Sequence, residues 1–418
     1  MRKRILGTVL AAGALVLAGC GGGSDSKESS GPVEITFSHW ALTAPPFGTF
    51  TKIMDDFNAS QSKYVIKAIN APYEGYHDTI FTQIGAGKGP TIAGVEESEF
   101  GRAVEAGLTT DLTDKVDVPS DGLVAYDKTL FDGDKRMGVV FTASPYQMLV
   151  NRPALDKLGL KVPTTYDEFL ATAKAATKGK DNFGFAFRHT SSDTTGWFVD
   201  LTNWLYGSGG SWTDESGKPT LDSPEAVATV KRMKTFIDDK IIPVGADAPT
   251  YRRAFGEGKI PMVIEALPLA GIMAAQTPAL AEGLEVHPLP FGSDQYLNIY
   301  HAAFVNKNAS DEEKKGAEAF LSYMLTDDVQ QKMLDTMGGA LGATDAPFSS
   351  ATDTSSPWLK DFSQTAGAVN ETPVGAESEF AAFRQILLDQ VEKIFAGQVS
   401  AEDGLAEAQK QAVELLDK

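Results

Sequence analysis

A single cysteine, Cys20, is present in 418 residues, so no disulfide can form within the chain, and a structural zinc site or an iron–sulfur cluster lacks ligands. Histidine is also scarce. The five, His39, His77, His189, His287 and His301, include no pair at the i,i+3 or i,i+4 spacing that shares a helical face. No metal or other cofactor is expected from that supply. Positive charge is in deficit, with 37 Lys and Arg against 56 Asp and Glu, and a formal net charge of -19 opposes the phosphate neutralisation that nucleic-acid binding requires. After the first twenty residues no hydrophobic run is long enough to span a bilayer. The G-x-S-x-G elbow, the H-E-x-x-H helix and the G-x-x-x-x-G-K-[ST] loop are missing too, which removes three common routes to hydrolysis and phosphate transfer.

What remains is an ordinary soluble composition, 42% hydrophobic and 22% charged. Single cores stop growing at roughly 250 to 300 residues, so this length predicts two lobes of about 150 to 200 residues. At the N-terminus Arg2, Lys3 and Arg4 form a basic region, and residues 5–17 an apolar stretch too short for a stable span. It ends in Leu17-Ala18-Gly19-Cys20, which resembles a lipobox. Residues 1–19 are therefore expected to be a lipoprotein signal peptide, with Cys20 acylated after cleavage and anchored in the cell membrane. Residues 21–31, GGGSDSKESSG, carry almost no apolar side chain, and 20–32 is expected to be the lipidated cysteine and a flexible tether.

In the body, strand-type runs alternate with amphipathic stretches, predicting α/β units with mostly parallel sheets. Residues 33–38 (VEITFS) alternate like a strand. Phe47, Phe50, Ile53, Met54 and Phe57 follow at helical spacing, and 64–69 (YVIKAI) returns as a strand. A helix over 76–85 and a strand over 91–95 complete a β-α-β-α-β start. Thr165 with Glu168 reads as a capping box, and Ser223-Pro224-Glu225 as the start of a helix through Asp239.

Several local motifs occur in a telling order: FTQIGAGKGPTIAGVEESEF (81–100), LVNRPALDKLGLKVPTTYDEFL (149–170), DSPEAV (222–227), FGEGKIPMVI (255–264) and GQVSAEDGLAEA (397–408). With the lipobox, this series resembles the family 1 extracellular solute-binding proteins, the sugar-capturing subunits of bacterial ABC importers that include maltose-binding protein. The chain departs from the family pattern at Thr91, where Asp is usual after Gly-Pro. It departs again at Ala266-Leu267-Pro268, where many sugar binders carry a stacking Trp.

The resemblance implies an α/β, two-lobed, periplasmic-binding-protein-like clamp of type II, its discontinuous lobes joined by three crossings. Mapped on this chain, lobe one holds 33–140 plus 292–340, and lobe two holds 146–286 plus 348–418. The crossings fall near 141–145, 287–291 and 341–347, where Pro, Gly and small residues cluster. The implied function is capture of a sugar or oligosaccharide by lobe closure and delivery to an ABC transporter permease, by a monomer held outside the cytoplasm through its lipid. A glycerol-phosphate-type or other anionic solute is the alternative, and an exported carbohydrate-active enzyme a further one.

A sugar needs aromatic faces for its C–H surfaces and planar polar groups for its hydroxyls. In open α/β sheets these belong beyond the carboxyl ends of strands. His39 and Trp40 follow the first strand, Glu96 and Glu97 the third. In lobe two Trp197, Phe198, Trp204, Tyr206 and Trp212 crowd one segment, from which Trp197 and Tyr206 are assigned to the ligand and Trp204 and Trp212 are open between core and site. Glu265 ends an apolar run. Ser144 lies in the first crossing, and Tyr300 and His301 are placed at a strand end near the second. Arg384, beside Phe380 at a helix start, is the cation an anionic ligand group would need.

Overall fold

The computed structural model describes residues 31–40, 42, 49–72, 75–119, 125–336, 358, 368–369, 371–377 and 379–417. The signal peptide, Cys20, most of the tether, Phe47 and the crossing expected at 341–347 lie outside the described residues.

The chain opens as expected. Strand β1 (Val33–His39) buries Ile35 and Phe37 and pairs in parallel with β2 (Tyr64–Asn70) and β3 (Ile92–Glu96). Between them, α1 (Thr49–Ser60) turns Phe50, Ile53, Met54 and Phe57 inward at 3- and 4-residue steps, and α2 (Tyr76–Gly85) does the same with Tyr76, Ile80, Phe81 and Ile84. Helix α3 (Glu97–Glu105) starts directly off β3.

After a short hairpin of β4 (Phe131–Asp132) and β5 (Lys135–Arg136) comes the longest strand, β6 (Val139–Asn151). Its first half pairs antiparallel with β9 (Tyr296–Val305), from Val139↔Ala303 to Pro145↔Asn298, with a bulge between Val140 and Thr142. Its second half pairs antiparallel with β7 (Met262–Ala266) and β8 (Leu284–His287). β9 in turn pairs antiparallel with β3, and β10 (Ala368–Val369) adds to β9 in parallel. The order β2-β1-β3-β9-β6-β7 thus threads one sheet through the molecule. The mostly parallel sheet expected from the alternation is corrected here: among the described residues the parallel pairs are β1 with β2, β1 with β3 and β10 with β9, while β6 and β9 run in opposite directions as partners rather than as successive βαβ units. Residues 141–145 lie inside β6, and 287–291 link β8 to the approach of β9.

Helices cover the sheet: α4 (Arg152–Leu158), α5 (Tyr166–Ala176), α6 (Thr194–Gly207), α7 (Pro224–Asp238), α8 (Ala248–Gly256), α9 (Leu267–Gln276), α10 (Pro278–Ala281), α11 (Asp311–Met324), α12 (Asp327–Thr336), α13 (Phe380–Phe395) and α14 (Ala401–Leu416). Their starts are written locally. Ser223 caps α7 with Pro224 at its first position, and Asp193 caps α6 through Gly196 N at 2.8 Å. The capping box expected at Thr165 is half formed. Thr165 accepts from Glu168 N, while Glu168 turns back one residue further, onto Thr164. A complete box appears instead at Ser310 and Glu313.

Two apolar cores result. One joins β1, β2 and β3 to α1, α2 and α11; the other gathers α5, α6, α7, α13 and α14. The first core also takes in Tyr251, Phe255 and Leu267, which the sequence reading assigns to lobe two, because the buried side chains of β6 carry the packing on to α8 and α9.

Candidate functional site

At the carboxyl end of β1 the backbone delivers His39 and Trp40 side by side, with ring centroids 3.7 Å apart. His39 is fully buried, and its Nε2 lies 3.0 Å from Nδ1 of His301. Tyr76, whose hydroxyl donates to the Ser38 carbonyl, and His77 close the group edge-on to Trp40. Burial, then His301 and His77, holds the His39 imidazole well below its ordinary range, and burial, then His77, lowers His301 to about 3. Burial first, then Arg102, lowers His77 to about 4. All three are neutral rings at pH 7. His301 lies mid-strand in β9, opposite Glu96, rather than at a strand end.

Glu96 ends β3 and Glu97 begins α3. Glu97 is buried and its Oε1 accepts from Thr372 N at 2.8 Å, which ties β3 to the segment 371–377. That segment is itself held by a backbone contact. Gly375 packs against Gly217 so closely that a Cβ on Gly375 would stand 2.8 Å from the Gly217 Cα, and both residues have φ near +80°. Glu371, at its start, is 95% buried. Burial, then Glu371, pushes Glu96 up to about 8 and Glu97 well above the carboxylate range. Burial likewise lifts Glu371 to about 7, although Arg384 and Arg188 pull it down.

Of these groups His77, Glu96 and Glu371 border a cavity of about 250 Å³, whereas His39, Trp40, Glu97 and His301 do not. Glu96, Glu99 and Arg102 line it from β3 and α3, Thr195 from the start of α6, and Glu371, Phe380 and Arg384 from the segment 371–377 and α13. Arg384 also lies over the Phe380 ring, 5.4 Å from its centroid.

The remaining expected site residues lie elsewhere. Trp197 is core: α6 is buried on almost every face, and the indole stacks on Phe395 instead of lining the cavity. Trp204 and Trp212 are core as well, the latter donating to Thr202 Oγ1 at 2.9 Å. Tyr206 is buried near the end of α6, its phenol raised by burial first and then by Glu97 and Glu371, and it does not border the cavity. Glu265 does not open to the cavity. It is fully buried and accepts from Tyr251 Oη and Arg252 Nε, each at 2.7 Å. Tyr300 is buried against Thr129, and Ser144 is half-buried in β6 opposite Ile299.

Glu99, Arg102, His77, Thr195 and Glu371 were missed. Glu99 follows Glu96 by three residues on a helix start, a signal the sequence carries. Glu371 belongs to an irregular segment with no periodicity, and only its neighbour's contact with Glu97 across 275 residues brings it in. Among the described residues no three His, Cys, Asp or Glu side chains converge as metal ligands, and no helix is long and apolar enough to cross a membrane.

Residues 52–361 match the family model described as bacterial extracellular solute-binding protein. The chain belongs to that family. Its members bind solutes, and membership puts the protein's work outside the cytoplasm. Solved structures share the fold. A solute-binding protein from Thermotoga lettingae, bound with α-D-tagatose, superposes with a TM-score of 0.76 at 17% identity over 93% of this chain and 100% of its own. The cyclic α-maltosyl-1,6-maltose binding protein of Arthrobacter globiformis gives 0.76 at 23% over 92% and 99%. A solute-binding protein from Agrobacterium radiobacter in complex with ribitol gives 0.67 at 20% over 92% and 99%. The solute-binding protein described here thus has the α/β, two-lobed clamp architecture.

Proposed function

We propose that this extracellular solute-binding protein captures a carbohydrate in the cavity between Glu96, Glu371 and Arg384 and hands it to an ABC transporter permease. The observation that carries the reading is the make-up of that cavity: planar carboxyl and guanidinium groups beside one aromatic ring, drawn from stretches assigned to different lobes. Glu96, Glu99 and Arg102 belong to the proposed lobe one (33–140 plus 292–340), and Thr195, Glu371 and Arg384 to the proposed lobe two (146–286 plus 348–418). A solute touching both favours the closed state by its greater affinity for it. Tagatose, cyclic maltosyl-maltose and ribitol, the solutes of those three proteins of the same fold, are of the same hydroxyl-rich kind. The alternative of an anionic solute has Arg384 in its favour, but Arg384 shares its cavity with Glu96, Glu99, Glu371 and Glu377.

A thermal-shift panel of sugars, polyols and organophosphates tests the class. A ligand at 100 times its Kd adds about 2.7 kcal/mol of stability. Small-angle scattering with the best hit then reads closure as a smaller radius of gyration. Shifts confined to phosphorylated compounds overturn the carbohydrate reading, and an unchanged radius at saturation overturns closure.

The lipobox supports anchoring at Cys20, with 20–32 as the tether of a monomer. Cys20→Ser should move the protein from the membrane to the soluble exported fraction, with its ligand affinity unchanged; a variant still retained at the membrane excludes the anchor.

A further inference from the structure

Glu97 does not line the cavity, yet it makes the contact that holds part of the cavity wall. Its Oε1 takes the Thr372 N–H at 2.8 Å. One turn further along α3, Gly101 meets the same segment, where a Cβ on Gly101 would stand 3.5 Å from the Cβ of Glu377. From the other side the segment is tied to the proposed lobe two, by Gly375 on Gly217 and by Ala376 in the second apolar core. Thr372 lies between Glu371 and Glu377, which both border the cavity, so the Glu97 bond governs where the two are held.

The carboxyl that makes this bond is badly placed to carry a charge. Glu97 is 7% exposed, its Oε2 has no hydrogen-bond partner, and among the described residues no ion pair includes it. Its neighbours on β3 and across the contact, Glu96 and Glu371, are carboxyls themselves, and α6 and β9 turn only phenols toward it, Tyr206 and Tyr300. The cations are engaged elsewhere. Arg102 pairs with Asp78 and Glu99, Arg188 with Asp200, and Arg384 of α13 acts on Glu96 and Glu371. In such surroundings an unpaired hydroxyl costs far less than an uncompensated charge, so the seated carboxyl keeps its proton. Burial, then Glu371, accordingly raises it well above the carboxylate range. Released into water, the same side chain ionises at pH 7 like any glutamate.

We propose that Glu97 is a positioning residue: it seats segment 371–377, and with it Glu371 and Glu377, against β3 and α3 through a contact that lasts only while its carboxyl is protonated, so that raising the pH loosens the cavity wall and weakens the hold on solute. The solute half rests on the carbohydrate reading of the cavity; the seating does not.

Hydrogen exchange on the full chain without solute, read on peptides spanning 371–377 and divided by the intrinsic rate at each pH, tests the seating. Protection should fall on the order of tenfold from pH 6 to pH 8, because the seated form holds a proton that the released form gives up. Glu97→Gln cannot ionise and still offers Oε1 to Thr372 N, so its protection should fall less steeply, whereas Glu97→Ala should lose protection at both pH values. Each variant is first checked for an intact melting transition. Protection that is flat with pH in the parent, or that falls as steeply in the glutamine variant, overturns the positioning role. Titration calorimetry with tagatose, maltose and ribitol at pH 6 and pH 8 then reads the solute half. A probe that binds should bind about tenfold more weakly at pH 8, and Glu97→Gln should narrow that ratio. Equal affinity at the two pH values, in a parent whose protection changes, overturns the link from seating to solute. If none of the three binds while protection follows the proton, the carbohydrate reading falls and the seating role of Glu97 stands.

Discussion

Glu265 and Glu371 are the same residue type, both withdrawn from water, and their surroundings treat them in opposite ways. Around Glu265, burial pushes the carboxyl up, but Arg252 and then Arg188 outweigh it and hold the group below its ordinary range, with Tyr251 completing the hydrogen bonds. Around Glu371, Arg384 and Arg188 fail to offset burial, the carboxyl rises to about 7, and one oxygen has no partner. The first arrangement is complete as folded. The second answers burial by taking up a proton rather than by pairing with a cation, and that contrast separates the two buried carboxyls more sharply than burial or residue type does.

The largest effect that would sharpen the comparison is expected at the completed site. Arg252→Ala leaves Glu265 buried with Tyr251 alone, and since the Arg252 side chain is 22% exposed the loss should fall near the lower end of the range for a broken buried pair, about 3 kcal/mol. Denaturant melts read this directly. A loss no greater than that of an ordinary surface substitution would mean that the pair is not what keeps Glu265 ionised.

A smaller effect, of opposite sign, is expected at the cavity. Glu96, Glu97 and Glu371 all have folded-state values raised above the ordinary 4.5, two of them to about 8 and about 7. The native state therefore holds more protons than the unfolded chain. Their contribution to stability is whole below about pH 4.5 and fades as pH rises through 7 to 8. Glu371→Gln should flatten part of that decline, making the variant more stable than the parent at pH 8 and equal to it at pH 4, in a series of melting temperatures without ligand. Parallel curves for parent and variant would show that Glu371 is as well partnered as Glu265, and the comparison would collapse.

Much of the fold could be read in the sequence because its signals are local. The alternation of 33–38, the 3- and 4-residue steps of α1, and Ser223-Pro224 before α7 each act within one element. Strand direction was not legible in the same way: β6 divides its two halves between β9 on one hand and β7 and β8 on the other, and nothing within 139–151 announces those partners. At the site, Glu96 and Glu97 were visible as charges at a strand end. Trp197 misled, since an aromatic-rich helix looks alike whether its rings meet a ligand or other rings. Glu371 was out of reach because an irregular segment reveals its place only through what it packs against.

The contact between Gly217 and Gly375 has a consequence for how this protein tolerates change. Each Cα occupies space that the other's side chain would need, and each backbone takes a conformation that L side chains rarely adopt. No single replacement at either position can be absorbed by a change at the other, so drift is blocked at both together. A map of mutational sensitivity would mark two distant positions, neither touching the cavity, as severely as the glutamates that line it, and the sensitivity of Gly375 would report on the seating of Glu371 four residues away.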